Sequence, residues 1–163
     1  MSVPLRLILD TNVVLDLLHF EDAAVLPILK ALTTRTAHCY GSVETLDELR
    51  RVLAYPEFQL DEAAQKTLYA RYQIWVGEPK TLCGHLSMPR CADPDDQMFL
   101  ELAASTQADW LVSKDKALLA LKRFARLGFK IVTPFEASAL LGEVSQVKHA
   151  VSPPCALESP QTL

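Results

Sequence analysis

A three-layer α/β domain, with a parallel β-sheet of about four or five strands flanked by helices, is the fold that this chain of 163 residues predicts. Three observations predict it. Short runs at Leu5–Leu9, Trp110–Val112 and Lys130–Val132 read as strands, the first apolar enough to be buried on both faces of a sheet. The segments between them carry apolar residues at helical spacing. Strands that alternate with helices in this way join through crossovers into a parallel sheet.

The elements follow in order. Leu5–Leu9 ends abruptly on Asp10-Thr11-Asn12, and Val13, Val14, Leu17 and Leu18 give the next segment a helical stripe to about His19. Val25, Ile28, Leu29 and Leu32 form the stripe of a helix over Ala23–Thr33. Thr36–Tyr40 is a weaker strand, ended by Gly41-Ser42, where Ser42 is placed to cap a helix over Val43–Leu53. Tyr55-Pro56 stops that helix, because a residue before proline is pushed out of the α region. Asp61–Val76 is helical, with Leu68, Tyr72 and Trp75 inward. Pro79–Pro89 is irregular, with at most a short strand at Thr81–Cys83. Pro94 and the acids around it open a helix running to about Thr106. After Trp110–Val112, a helix over Lys116–Arg126 is expected to end at Gly128 as its C-cap. Lys130–Val132 and a helix over Pro134–Leu141 complete a domain of residues 1–141. Residues 142–163 hold three prolines and no periodicity, and are expected to be a tail lying on the domain or on a neighbouring subunit.

Composition narrows the class. Half the residues are hydrophobic, enough for a substantial core, and the net charge of −4 excludes a polycation that grips nucleic acid by bulk charge. Cys39, Cys83, Cys91 and Cys155 have neither CxxC nor zinc-ligand spacing, which fits a reduced, cytoplasmic protein better than a disulfide scaffold. The first apolar run ends at Asp10, too short for a cleaved leader, and no run is long enough for a membrane span.

The acids carry the chemistry. Asp10 and Asp115 each close a strand, where an open α/β sheet places its ligand crevice. Asp10, Thr11 or Asn12 could equally do no more than cap the following helix. On the helix Val43–Leu53, the arc of Leu46, Leu49, Val52 and Leu53 leaves Glu48 about 40° outside the core face, Glu44 about 80° and Asp47 about 100°. Glu48 is therefore the acid nearest the core. Phe99 and Ala103 share a helical face with Asp96, whereas Asp95 turns away and Asp93 is a natural N-cap. Carboxylates converging on one crevice repel each other unless a cation neutralises them. An all-oxygen set suits Mg²⁺ or Mn²⁺, ions that activate water and stabilise charge on a phosphodiester.

Leu9–Asp16, Glu48–Leu53, Asp93–Ala103, Ala108–Asp115 and Pro134–Ala137, taken together and in order, resemble a PIN domain. The nearest group is the bacterial set described as toxin components of toxin–antitoxin systems. The resemblance implies a parallel sheet flanked by helices and metal-dependent endoribonuclease activity on RNA. It places Asp10, Glu48, Asp96 and Asp115 at the acidic positions that hold Mg²⁺ or Mn²⁺. It makes Asn12 and Ser113 polar groups that orient a carboxylate or water, with Asp93 beside them. It also implies an antitoxin partner and a homo-oligomer. Lys114 departs from the family pattern, where Gly or Asn is commoner; it could set a cation beside the scissile phosphate or simply face solvent. Lys114 and Lys116 are the candidate RNA contacts because they flank Asp115. Two rivals stand beside this: a catalytically silent PIN-like module that binds RNA or protein, and a phosphatase with an aspartyl nucleophile. The phosphatase would want an acid where Asn12 stands. His19, His38, His85 and His149 share no ligand spacing.

Overall fold

The computed structural model describes residues 3–78, 80–81, 87–124 and 126–149, the stretch 144–149 by its backbone course alone. Among them, four strands form one sheet: β1 (Leu5–Leu9), β2 (Ala37–Cys39), β3 (Trp110–Val112) and β4 (Lys130–Val132). All pairings are parallel, in the order β2-β1-β3-β4. The helices are α1 (Thr11–Leu15), α2 (Leu26–Thr33), α3 (Val43–Leu53), α4 (Glu62–Val76), α5 (Gln97–Ser105), α6 (Lys116–Leu119) and α7 (Pro134–His149).

Successive side chains of a strand point to opposite faces, so the central strands feed two cores. Leu7, Leu9, Trp110, Val112 and Val132 face the side covered by α1, α2, α3, α4 and α7. Ile8, Leu111 and Ile131 face α5 and α6. The fold is thus three-layered and α/β. Because the chain proceeds from β1 outward to β2 and returns to β3 on the other side, the direction of winding reverses between β1 and β3. That reversal opens the sheet's crevice at their carboxyl ends.

Local signals match these elements. Ser42 Oγ accepts the Thr45 N–H at 3.2 Å and Thr45 Oγ1 accepts the Ser42 N–H at 2.9 Å, a reciprocal cap that starts α3. The preceding Gly41 lets α4 pack close, since a Cβ there would lie 2.9 Å from Val76 Cγ1 and push that side chain aside. Asp61 Oδ1 accepts the Ala64 N–H at 2.7 Å and caps α4.

Four expectations need correction. The first helix does reach about Phe20, but its last turn, Asp16–Phe20, widens to a π-type turn that buries Asp16, Leu17 and Leu18 in succession. Helix α6 stops at Leu119 and tightens into a 3₁₀ turn over Ala120–Arg123, short of the expected Arg126. Three residues per turn stacks buried Leu118 directly under buried Leu121. Gly128, at φ +77°, then makes the turn into β4 instead of capping a helix. Helix α7 continues past Leu141 to His149, because a lone Gly142 costs only about 1 kcal/mol and no proline intervenes. The strand expected at Thr81–Cys83 falls mostly outside the described residues, although Lys80 makes a parallel bridge to Ser42.

The two-core arrangement predicts a sharp contrast in stability. Replacing Ile8, fully buried in the sheet, by alanine costs about 2–5 kcal/mol. Ile74→Ala on the outer face of α4, where Ile74 is 79% exposed, changes stability by less than about 0.5 kcal/mol. Urea denaturation of the two variants measures both.

Candidate active site

Parallel register builds the site. Leu9 pairs with Val112, so the next residues, Asp10 and Ser113, emerge side by side at the crevice. The Asp10 N–H donates to the Val112 carbonyl at 3.0 Å, holding the turn against β3. The Asp10 carbonyl accepts from Val13 and Val14 and starts α1, but its carboxylate makes no capping bond to that helix. Oδ2 instead accepts the Ser113 hydroxyl at 2.7 Å, in a buried contact. Asp10 is therefore aimed into the crevice.

Ser113 links two acids. While its hydroxyl donates to Asp10, its oxygen accepts the Asp115 N–H at 2.9 Å. Asp115 caps α6, its Oδ1 accepting the N–H groups of Ala117 at 2.6 Å and Leu118 at 3.3 Å. The opposite wall comes from α3, where half-buried Glu48 Oε2 accepts the Thr11 hydroxyl at 3.0 Å. Glu44 and Asp47 face solvent, as their positions around the helix predict. From the other layer, a 3₁₀ turn over Pro94–Asp96 leads into α5 and leaves Asp96 half-buried at its inner end. Asp93 is the cap of that turn, its Oδ1 accepting the Asp95 N–H at 3.0 Å.

Proton affinities show which acids share a field. Burial pushes the Asp10 carboxyl above its ordinary value, with Asp115 adding to the rise, while the Ser113 hydroxyl and the amides of Asn12 and Thr11 pull it back. Burial likewise raises Glu48, opposed by the Thr11 hydroxyl and Arg51 and reinforced by Asp10 and Asp95. Asp96 is pushed up to about 7, first by burial, then by the charges of Asp10, Asp115 and Asp93, and by a bond to Asp115 that only its protonated form donates. All four sequence-predicted acids therefore belong to one electrostatic unit in which negative charge predominates. The donors fit a hard divalent cation in chemistry, number and charge. In their present rotamers no three His, Cys, Asp or Glu side chains among the described residues surround one point as metal ligands.

Other predicted residues stand differently. Asn12 is exposed, and its backbone N–H acts on the Asp10 carboxylate. Lys116 is exposed on α6. Lys114 reaches Asp16, its Nζ 2.6 Å from Oδ2. Sequence reasoning misses two residues: Thr11, weighed only as a cap, and Asp16, passed over inside an apolar helix. Thr11 sits at the buried start of α1, facing α3, a position that helical phasing from Val14 and Leu18 could have exposed. An open cleft of about 330 Å³ between α3 and α5, lined by Glu44, Asp47, Glu48, Arg51, Asp95 and Met98, leads outward from Glu48.

The PIN domain family model matches residues 6–117, a span that holds β1 from Arg6 on, β3 and all four acids. The chain belongs to the PIN-domain family. PIN domains are in general nucleases and typically use divalent metal ions. No curated protein matches the chain. In this PIN domain the matched span ends at Ala117, in the first turn of α6, so β4 and α7 lie outside it.

The raised proton affinity of Asp96 fixes a pH dependence. Its carboxyl binds a proton in the folded state up to about pH 7, but unfolded only to about 3.8. Stability contributed at low pH is therefore lost as pH rises from about 4 through 7, and Asp10 and Glu48 act in the same direction. In thermal melts with chelator present, Asp96→Asn is expected to raise the Tm at pH 8. That gain should vanish near pH 4.

Proposed function

We propose that this PIN domain is an endoribonuclease that hydrolyses RNA phosphodiester bonds with Mg²⁺ or Mn²⁺ held by Asp10, Glu48, Asp96 and Asp115. The observation that carries it is the Asp10 carboxylate, buried and turned away from the helix it begins toward Ser113, within a cluster of acids whose negative charge is not matched. A side chain in that position serves folding poorly and serves cation binding well. A bound divalent ion would supply an activated water and offset the charge that builds on the phosphorus oxygens during in-line displacement.

The chain's own groups have distinct tasks. Ser113 orients the Asp10 carboxylate through Oδ2. Thr11 does the same for Glu48 through Oε2. Asp115 spends Oδ1 on α6, so its second oxygen is the one available to the site. Asp96, near half-protonated at neutral pH, gives up its proton when a cation enters. Arg51 at the mouth of the cleft and exposed Lys116 are the side chains offered to an RNA backbone.

The proposal extends to a cytoplasmic toxin of a toxin–antitoxin pair, a homo-oligomer held in check by a cognate antitoxin. Its support is the block pattern shared with that bacterial set. Among the described residues no helix is long and apolar enough to cross a membrane. Expression of the chain alone should arrest growth, and Asp10→Asn should relieve the arrest.

One observation favours a second reading, a silent module that binds RNA or protein: the acids among the described residues do not presently surround one point. Cleavage of a mixed-sequence single-stranded RNA separates the two. The nuclease cuts with Mn²⁺, stops in chelator, and loses about 100-fold or more of its rate in Asp10→Asn. The silent module binds that RNA and leaves it intact.

A further inference from the structure

We propose that Asp16 and Lys114 form a latch that holds the loop after β3 against α1 and thereby sets the position of Asp115. Its consequence for cation binding rests on the nuclease reading above; the latch itself does not.

Asp16 is a buried carboxylate, 5% exposed, on the widened last turn of the first helix. A buried charge needs a partner. A partner comes from 98 residues away in sequence (114 minus 16): Lys114 Nζ at 2.6 Å, on a side chain that remains 47% exposed. The lysine stem therefore lies at the surface while its head plugs the polar end of a buried site. Lys114 stands between the two residues that build the crevice. Ser113 is tied to Asp10 by its hydroxyl, and Asp115 is tied to Ser113 by its N–H. Two successive residues of the loop are thus stitched to two points on the β1–α1 segment, Asp10 and Asp16. Fastening at two adjacent residues restrains the loop, and the next residue is the acid that caps α6 and faces Asp96.

This assigns Lys114 a use other than the phosphate contact that its place beside Asp115 suggests. Its ammonium is engaged by Asp16, and moving it to a phosphate would strand a buried carboxylate. Lys114 and Asp16 are then positioning residues. They act on the site through the geometry of Asp115.

The sign of one effect separates positioning from simple charge. As a nearby cation, Lys114 repels a divalent ion, so its removal would tighten cation binding. As a latch, it keeps Asp115 in place, so its removal weakens binding.

The test uses the full chain and four variants: Lys114→Met, Lys114→Arg, Asp16→Asn and the double variant Asp16→Asn/Lys114→Met. Amide hydrogen exchange is read at Asp115, Ala117 and Leu118, whose N–H groups report the loop and its cap. Lys114→Met and Asp16→Asn are expected to speed exchange there about tenfold while the Leu111 amide in β3 is unchanged. Lys114→Arg retains protection, and the double variant is no worse than the worse single one, because one contact is lost once. Mn²⁺ calorimetry of Lys114→Met then gives a dissociation constant raised about tenfold. Unchanged exchange at Asp115, exchange raised equally at Leu111, or tighter Mn²⁺ binding overturns the proposal. Should the wild type bind no Mn²⁺, the nuclease reading fails, and the exchange measurement still decides the latch.

Discussion

The parallel pairing of β1 with β3 is the constraint on which the rest of this molecule depends. Register sets Leu9 beside Val112, and the next step along both strands places Asp10 beside Ser113, 103 residues away. The hydroxyl–carboxylate bond between them is buried at the point where the sheet changes its direction of winding. Helices α3 and α5, packed on opposite layers, then deliver Glu48 and Asp96 to the same opening. Each acid is carried by a different element, so the site exists only when both cores are assembled.

The same arrangement opposes folding locally. Burial and mutual repulsion raise the proton affinities of Asp10, Glu48 and Asp96 together, which means that the folded domain holds its acids at a cost at neutral pH. Two fully buried hydrophobic layers and a chain of hydroxyl contacts, Ser113 to Asp10 and Thr11 to Glu48, hold the acids in place against that cost. A divalent cation would relieve it. Membership of the PIN-domain family, in general a family of nucleases, agrees with a site whose charge is left incomplete by the protein itself.

Much of this architecture is legible in the sequence. Strands β1, β3 and β4 can be read there with their observed bounds, because short apolar runs ending in polar residues have few other uses in an alternating chain. Helical phasing places Glu48 and Asp96 on inner faces and leaves Glu44, Asp47 and Asp95 outside, as found. The readings that fail depend on tertiary packing. Helix α6 tightens so that Leu118 and Leu121 can stack, and α7 runs through Gly142, which a single glycine does not prevent. Thr11 shows in the sequence only as a buried helix-start position, and Asp16 not at all, because their partners, Glu48 and Lys114, are remote in sequence. Lys114 itself reads as a free cation for the same reason.

The most direct test of the central claim, that the four carboxylates form one site awaiting a divalent cation, is the number of protons released when Mn²⁺ binds. Calorimetry at pH 7 in two buffers of different ionisation enthalpy measures it. With Asp96 held at about 7, protons should leave as the ion binds at pH 7, the release falling as pH rises well above that value. Binding with no proton release at pH 7, or no binding at all, would contradict it.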